Sequence, residues 1–123
     1  MSILEQICPI ARTAALIGDV YVLLILRDLA DGPRRFGALE QSVGVNPRTL
    51  SDRLRRLEEE GIITRTYYAE IPPRVEYALT DKGKALLPIV EHMRRYGEQW
   101  LAGAESEAAP SMPGSDAKAE PEG

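Results

Sequence analysis

The side chains best equipped for chemistry in this sequence are arginines, and they are crowded. Six of them (Arg34, Arg35, Arg48, Arg53, Arg55 and Arg56) stand in residues 34–56 against two acids, Glu40 and Asp52. Within that stretch Leu50, Leu54 and Leu57 fall at i, i+4 and i+7, the spacing of one narrow apolar stripe on a helix. At about 100° per residue the opposite face presents Arg48, Asp52 and Arg55, with Thr49, Ser51 and Arg56 on the flanks. Such a set suits the base edges of a DNA major groove. A guanidinium bonds guanine bidentately, a hydroxyl reaches a base or a phosphate, and a carboxylate accepts from cytosine or orients a neighbouring arginine. Base contacts gather at the N-terminal end of a recognition helix, which favours Arg48, Thr49, Ser51 and Asp52, with Asn46 as the cap ahead of them. A plain solvated helix, with Arg55 and Glu59 paired at i,i+4, would carry the same leucine stripe. The order of charges argues otherwise. Arginines fill the N-terminal two-thirds and Glu58, Glu59 and Glu60 the C-terminal end, opposite to what the helix dipole prefers.

Outside this helix, Arg34 and Arg35 precede a short helix where a backbone phosphate would lie, and Arg74 stands beside a proline turn. Contacts of that kind give affinity and salt dependence with little sequence information. Cys8 precedes Pro9 at a helix start, where the dipole in general favours a thiolate. A small apolar core residue is the other reading of a lone cysteine. With one cysteine and one histidine, His92, no zinc site of the usual four ligands and no intrachain disulfide is expected. No Ser-His-Asp arrangement or Gly-rich phosphate loop is present, so no catalytic residue is assigned and an enzyme is not expected. The single-cysteine composition, the lack of a signal-like N-terminus and a longest apolar run of seven residues (Val20 to Leu26) point to a cytoplasmic protein with no membrane partner.

Positioning these groups takes one domain. Of 19 acids and 15 bases, five acids and Lys118 lie in residues 104–123, which leaves 14 of each sign in residues 1–103. The reading is therefore a neutral domain over 1–103 and a disordered acidic tail over 104–123, too poor in large apolar residues to offset its ordering entropy. Pro9 suits the first turn of a helix carrying Ile10, Ala14 and Ile17 inward to Gly18. Asp19 then caps a helix through Leu29, apolar nearly all round and thus central to the core, and Asp31-Gly32-Pro33 stops it. A short helix from about Phe36 to Ser42 precedes Gly44, and Asn46-Pro47 starts the arginine helix, which ends at Gly61. Two helices across a short Gly-containing turn make a helix-turn-helix. From Ile62 the period turns β-like through Tyr68, breaks at Ile71-Pro72-Pro73, and resumes from Arg74 to Leu79: a hairpin, or wing. Thr80-Asp81 caps a last helix of about 21 residues, whose stripe (Leu86, Ile89, Val90, Met93, Tyr96, Trp100) exceeds what a small core covers and suggests a dimer interface. The fold class expected is α+β, mainly α: a winged helix-turn-helix with dimerisation helices at both ends.

The strings Arg35-Phe36-Gly37-Ala38-Leu39, Asn46-Pro47-Arg48-Thr49-Leu50-Ser51 with Arg53-Leu54 and Leu57-Glu58, and Ile71-Pro72-Pro73-Arg74-Val75-Glu76-Tyr77-Ala78-Leu79-Thr80 closely resemble the HxlR-type transcription regulators. The resemblance covers about residues 8–101 and is carried most specifically by the double-proline wing. It implies a MarR-like winged-helix homodimer, joined by helices from both ends of the domain, on pseudo-palindromic double-stranded DNA. Some members sense electrophiles or oxidants through a cysteine followed by proline near the N-terminus, a position matched by Cys8-Pro9, which makes Cys8 a candidate redox sensor. Where the family usually has Lys-Trp, this sequence has Val20-Tyr21, so no role is carried over to Val20. The function expected is a sequence-specific DNA-binding regulator, a homodimeric repressor, with any small-molecule or electrophile effector unnamed and no cofactor. The rival is a winged-helix protein–protein module whose arginine face meets an acidic partner. Salt slope and operator discrimination separate the two.

Overall fold

The computed structural model describes residues 2–101 and 103, so the tail assigned to 104–123 lies outside the described residues. Among the described residues seven helices and three strands follow one another: α1 (Ile3–Ile7), α2 (Pro9–Ile17), α3 (Val20–Leu29), β1 (Arg34–Arg35), α4 (Phe36–Val43), α5 (Pro47–Glu59), β2 (Ile63–Tyr68), β3 (Arg74–Leu79), α6 (Asp81–Lys84) and α7 (Leu87–Trp100). The strands form an antiparallel sheet in the order β1-β3-β2, with Ile63 opposite Leu79 at the base of the hairpin and Tyr68 opposite Arg74 near its tip.

Local signals set most boundaries. The Asp19 carboxylate accepts from the amides of Tyr21 (2.8 Å) and Val22 (3.1 Å), satisfying two donors at the start of α3. Asn46 does the same for Thr49 (2.9 Å) ahead of Pro47. Gly44 ends α4 in the left-handed region, at φ 72°, where a side chain would be strained, and this turn carries the chain from α4 into α5. The core is built on α3, whose Val22, Ile25, Leu26 and Leu29 are buried against Leu39 and Val43 of α4 and the whole leucine stripe of α5. Ile62 and Ile63 close it from the sheet side. α2 meets α3 across an 80° bend, and no single helix among the described residues is long and apolar enough to cross a membrane.

Three expectations are corrected. The last helix is two helices, because Pro88 has no N–H to continue the ladder from α6; α7 alone has 14 residues. Arg34 and Arg35 do not simply lead into α4 but form β1, opposite Tyr77 and Glu76 of β3. Ile10, expected to point inward, is 80% exposed, Ala14 is exposed too, and of that trio only Ile17 is buried.

α6 is held tightly to the end of α5. Thr80 Oγ1 donates to the Gly61 carbonyl (2.6 Å) and accepts from Gly83 N (3.1 Å), while Lys82 Nζ donates to the Glu60 carbonyl (2.8 Å). Gly83 is buried so closely that a Cβ there would stand 2.2 Å from the Ile62 carbonyl oxygen, a backbone atom that cannot turn aside. Gly83→Ala is therefore expected to cost about 2 to 3 kcal/mol, by the general cost of overpacking, read as a lowered midpoint in thermal or urea unfolding. An unchanged midpoint would mean that α6 is free to move off the hairpin.

Candidate nucleic-acid interface

Gly44 and the Asn46 cap set α5 across the end of α4, and burial of Leu50, Leu54 and Leu57 turns Arg48, Ser51, Asp52 and Arg55 outward, all four exposed. Arg48 has no side-chain hydrogen bond or ion pair among the described residues. Beside it, the exposed Asp52 carboxylate accepts from the exposed Arg55 Nη2 (2.8 Å) on one oxygen and from the half-buried Arg53 Nη1 (3.2 Å) on the other. Of the two roles open to Asp52, the geometry is that of orienting neighbouring arginines. Asn46 is exposed with its side-chain oxygen engaged in the cap, and Thr49 is half-buried.

The flank of α5 that carries Thr49, Arg53 and Arg56 faces the N-terminal helices. Arg56 donates to the Ala15 carbonyl on α2, which separates it from the exposed set it was grouped with. The sequence reading passed over Arg53. Its Nε donates to the Asp19 carboxylate (2.9 Å), and its guanidinium lies 6.0 Å from the centre of the Tyr21 ring, so one side chain joins the cap of α3 to the middle of α5. The partners are 34 residues apart, and nothing in local spacing signals the pair. Burial alone would raise the Asp19 carboxyl; the Val22 amide, the Arg53 guanidinium and the Tyr21 amide outweigh it and hold the group below the usual carboxylate range. A carboxyl depressed in the folded state stabilises above its ordinary titration range, and that stability is lost as pH falls below about 3.8. Asp19→Ala should cost about 1 to 2 kcal/mol at neutral pH, the usual worth of a helix cap, with the gap to the native protein narrowing as unfolding is repeated toward pH ~3. A gap independent of pH would show that the carboxylate's charge contributes nothing.

The phosphate-contact candidates fare differently from one another. Arg35 is exposed at the start of α4. Arg34 Nε donates to the Asp28 carbonyl (3.2 Å), with Asp31 3.9 Å from the guanidinium. Arg74 lies 3.1 Å from Glu70 and 3.3 Å from Glu76, stacked 4.0 Å from the centre of the Tyr68 ring. Its charge is largely matched within the wing by these two carboxylates. His92 is exposed on α7, and no group of three or more His, Cys, Asp or Glu among the described residues is placed to hold a metal ion.

Cys8 is the residue before α2, half-buried, with its sulfur accepting from Ala11 N at 3.5 Å. Of the stripe expected to form an interface, Leu86 and Val90 pack against the core, whereas Ile89, Met93, Tyr96 and Trp100 are exposed by 39 to 66%. Ile89 and Met93 join Pro9, Ile10, Ala14, Ile17 and Leu23 around an open, almost wholly apolar groove of about 470 Å³. The other side of α7 is polar, with Arg94 paired to Glu91 and Glu98.

The family model of HxlR-like helix-turn-helix proteins matches residues 16–105. The chain belongs to that family. Proteins similar to this HxlR-like chain include an uncharacterised HTH-type transcriptional regulator of Synechocystis sp., 44% identical over 97 residues that cover 78% of this chain and 72% of the relative. Another, from Bacillus subtilis, is 37% identical over 99 residues, 79% of this chain and 92% of the relative. Among solved structures, the oxidised redox regulator HypR superposes with a TM-score of 0.71 at 37% identity, covering 74% of this chain and 95% of that one. A Porphyromonas gingivalis protein assigned to the MarR family of transcriptional regulators gives 0.75 at 31% identity, covering 82% and 100%. This HxlR-like chain is thus a helix-turn-helix transcription regulator with a MarR-like winged fold, from a family of regulators and not of enzymes.

Proposed function

We propose that the protein is a homodimer that binds pseudo-palindromic double-stranded DNA in the cytoplasm and represses by blocking promoter access. The observation that carries this reading is the exposed N-terminal half of α5, where Arg48 has no partner among the described residues and Ser51, Asp52 and Arg55 surround it. A guanidinium left unpaired on a helix otherwise stitched to its neighbours is available to a base edge or a phosphate. Arg35 adds a second exposed cation, while Arg34, Arg56 and Arg74, committed to protein groups, contribute less than their charge suggests. Support for the homodimer comes from apolar surface at both ends of the domain: Ile3, Ile7 and Ile10 on one side, Met93, Tyr96 and Trp100 on the other, each at least half exposed.

A redox input at Cys8 is the second reading, supported by its place at the start of α2 beside that apolar surface and by the likeness to HypR, solved in reduced and oxidised forms.

The deciding experiment is fluorescence anisotropy of the purified protein on its own upstream intergenic DNA and on a scrambled duplex, across salt. Selective binding by roughly 10³-fold with a steep salt slope is expected. Equal weak binding to both duplexes would move the reading to a protein–protein module. Repeating the titration with an oxidant, on native protein and Cys8→Ser, tests the second reading: an oxidant effect that survives the substitution removes Cys8 from it.

A further inference from the structure

The two exposed arginines of α5 stand in opposite circumstances. Arg48 and Arg55 are seven residues apart, so at about 100° and 1.5 Å per residue they share one face of the helix, roughly 10 Å apart along its axis. Arg48 has no side-chain hydrogen bond or ion pair among the described residues, whereas Arg55 Nη2 donates to Asp52 Oδ1 at 2.8 Å. A lone pair of this kind on a surface restrains little. This pair is anchored, because Asp52 Oδ2 accepts from Arg53 Nη1 at 3.2 Å and Arg53 Nε donates to Asp19 Oδ2 at 2.9 Å. Asp19 is itself fixed, since its other oxygen caps α3 through the amides of Tyr21 and Val22. The half-buried Arg53, with the Tyr21 ring centre 6.0 Å from its guanidinium, is thus a strut from the start of α3 to the exposed carboxylate. Side chains of alternating charge, Asp19, Arg53, Asp52 and Arg55, run without a break from the cap of α3 to the outer face of α5.

The carboxylate changes what Arg55 can bind. Its charge offsets the attraction of the guanidinium for phosphate and would itself be repelled by one. The planar fork survives, because Arg55 spends one N–H on Asp52 and keeps the others in a plane suited to a guanine edge. A guanidinium held in place before binding also loses less side-chain freedom when it bonds to a base. Arg48 has neither the restraint nor the countercharge, and it can turn to a base or a phosphate.

We infer that Arg55 is a guanine-reading residue whose aim is set by Asp52, Arg53 and Asp19, which act as positioning residues and take no base of their own. Along a duplex rising about 3.4 Å per base pair, the pair read by Arg55 lies about three base pairs from the position reached by Arg48. Discrimination at that pair is therefore set in part at the junction of α2 and α3, 34 residues from Arg53 in sequence. The inference rests on the DNA-binding reading above and gives that reading its second base contact.

The test takes a duplex selected by the full chain from a randomised pool, with all single-base-pair variants of it, and measures anisotropy. Arg55→Ala is expected to lose discrimination at one G·C pair by about 10-fold or more, the scale of a lost bidentate contact. Asp52→Asn should relax the same pair by at least about three-fold, while binding to scrambled duplex holds or strengthens because an acid near phosphate is gone. A merely structural role would lower both or neither. Asp19→Asn is the distant arm: asparagine keeps a cap oxygen for α3 but sets an amide donor against Arg53, so it should destabilise less than Asp19→Ala and still relax the Arg55 pair. Added to Arg55→Ala, Asp52→Asn should relax nothing further. Relaxation at a different base pair in Asp52→Asn, additive losses, unchanged discrimination in both Asp52→Asn and Asp19→Asn, or equal losses on selected and scrambled DNA for Arg55→Ala would each overturn the inference. Guanidinium NMR signals of the DNA-free protein supply a readout independent of the operator: those of Arg53 and Arg55 should both shift in Asp52→Asn. Unshifted Arg55 signals beside intact selective binding overturn the positioning role alone, whereas a native protein that selects no sequence from the pool overturns the DNA reading itself.

Discussion

A Met93→Asp protein is expected to sediment as a folded monomer and to lose operator affinity by about 100-fold or more, the scale on which linked half-sites exceed single ones. Met93 is half exposed on the protomer and lines the apolar groove with Ile10 and Ile89, so the new carboxylate costs the isolated fold little. In the proposed two-fold dimer the same substitution would place a charge from each copy in a surface that excludes water, where burying an unpaired charge is costly. Sedimentation velocity together with an unchanged circular dichroism spectrum checks the first half, and anisotropy the second. A stable dimer carrying this substitution would remove α7 from the interface.

Arg48→Ala should weaken operator binding by about 1 to 3 kcal/mol and relax discrimination at a single base pair, as removal of a bidentate base contact does. Arg48 is exposed and has no ion pair among the described residues, so the melting temperature should hold while DNA affinity falls. Arg74→Ala is the contrast: with Glu70 and Glu76 beside it, its loss should affect the wing more than DNA affinity, and equally on all sequences. Equal losses on specific and scrambled duplexes for Arg48→Ala would reassign Arg48 to phosphate contact.

What the sequence made legible is what short-range physics controls. Asn46-Pro47, Gly44 and the leucine stripe fix α5 because capping, a left-handed turn and helical burial each act within a few residues. The hairpin was readable for the same reason, through alternation broken at a pair of prolines. The misses lie where local and distant terms compete. A two-residue strand such as β1 has no period to detect, and its pairing with β3 lies some forty residues away. The long last helix ignored Pro88, a local signal that outweighs the continuous apolar pattern around it. Ile10 has the right spacing for a core residue, but periodicity cannot say whose core it joins, and the exposed groove is the result. Among the arginines, type and helical angle found the exposed face, while Arg53 and Arg56 are set apart from it by partners 34 and 41 residues away. Arg74 is the exception, since Glu70 and Glu76 stood within four residues of it in plain view.

The break between α6 and α7 has a consequence for operator architecture. α6 is fastened to the end of α5 by Thr80, Lys82 and the close fit of Gly83, whereas α7 carries the exposed apolar side. The only chain joining these two rigid parts at this end is Ala85-Leu86. In a dimer built on α7, that dipeptide, together with the packing of Leu86 and Val90 on the core, sets the distance and twist between the two recognition helices, which must match half-sites about 34 Å apart. Adding or deleting one residue there would rotate one part against the other by roughly 100°. If the proposed dimer is built on α7, the tolerated spacing between half-operators depends on the length of this two-residue join, and a change of length there would retune which promoters a descendant of this protein could occupy without altering the proposed base-reading side chains.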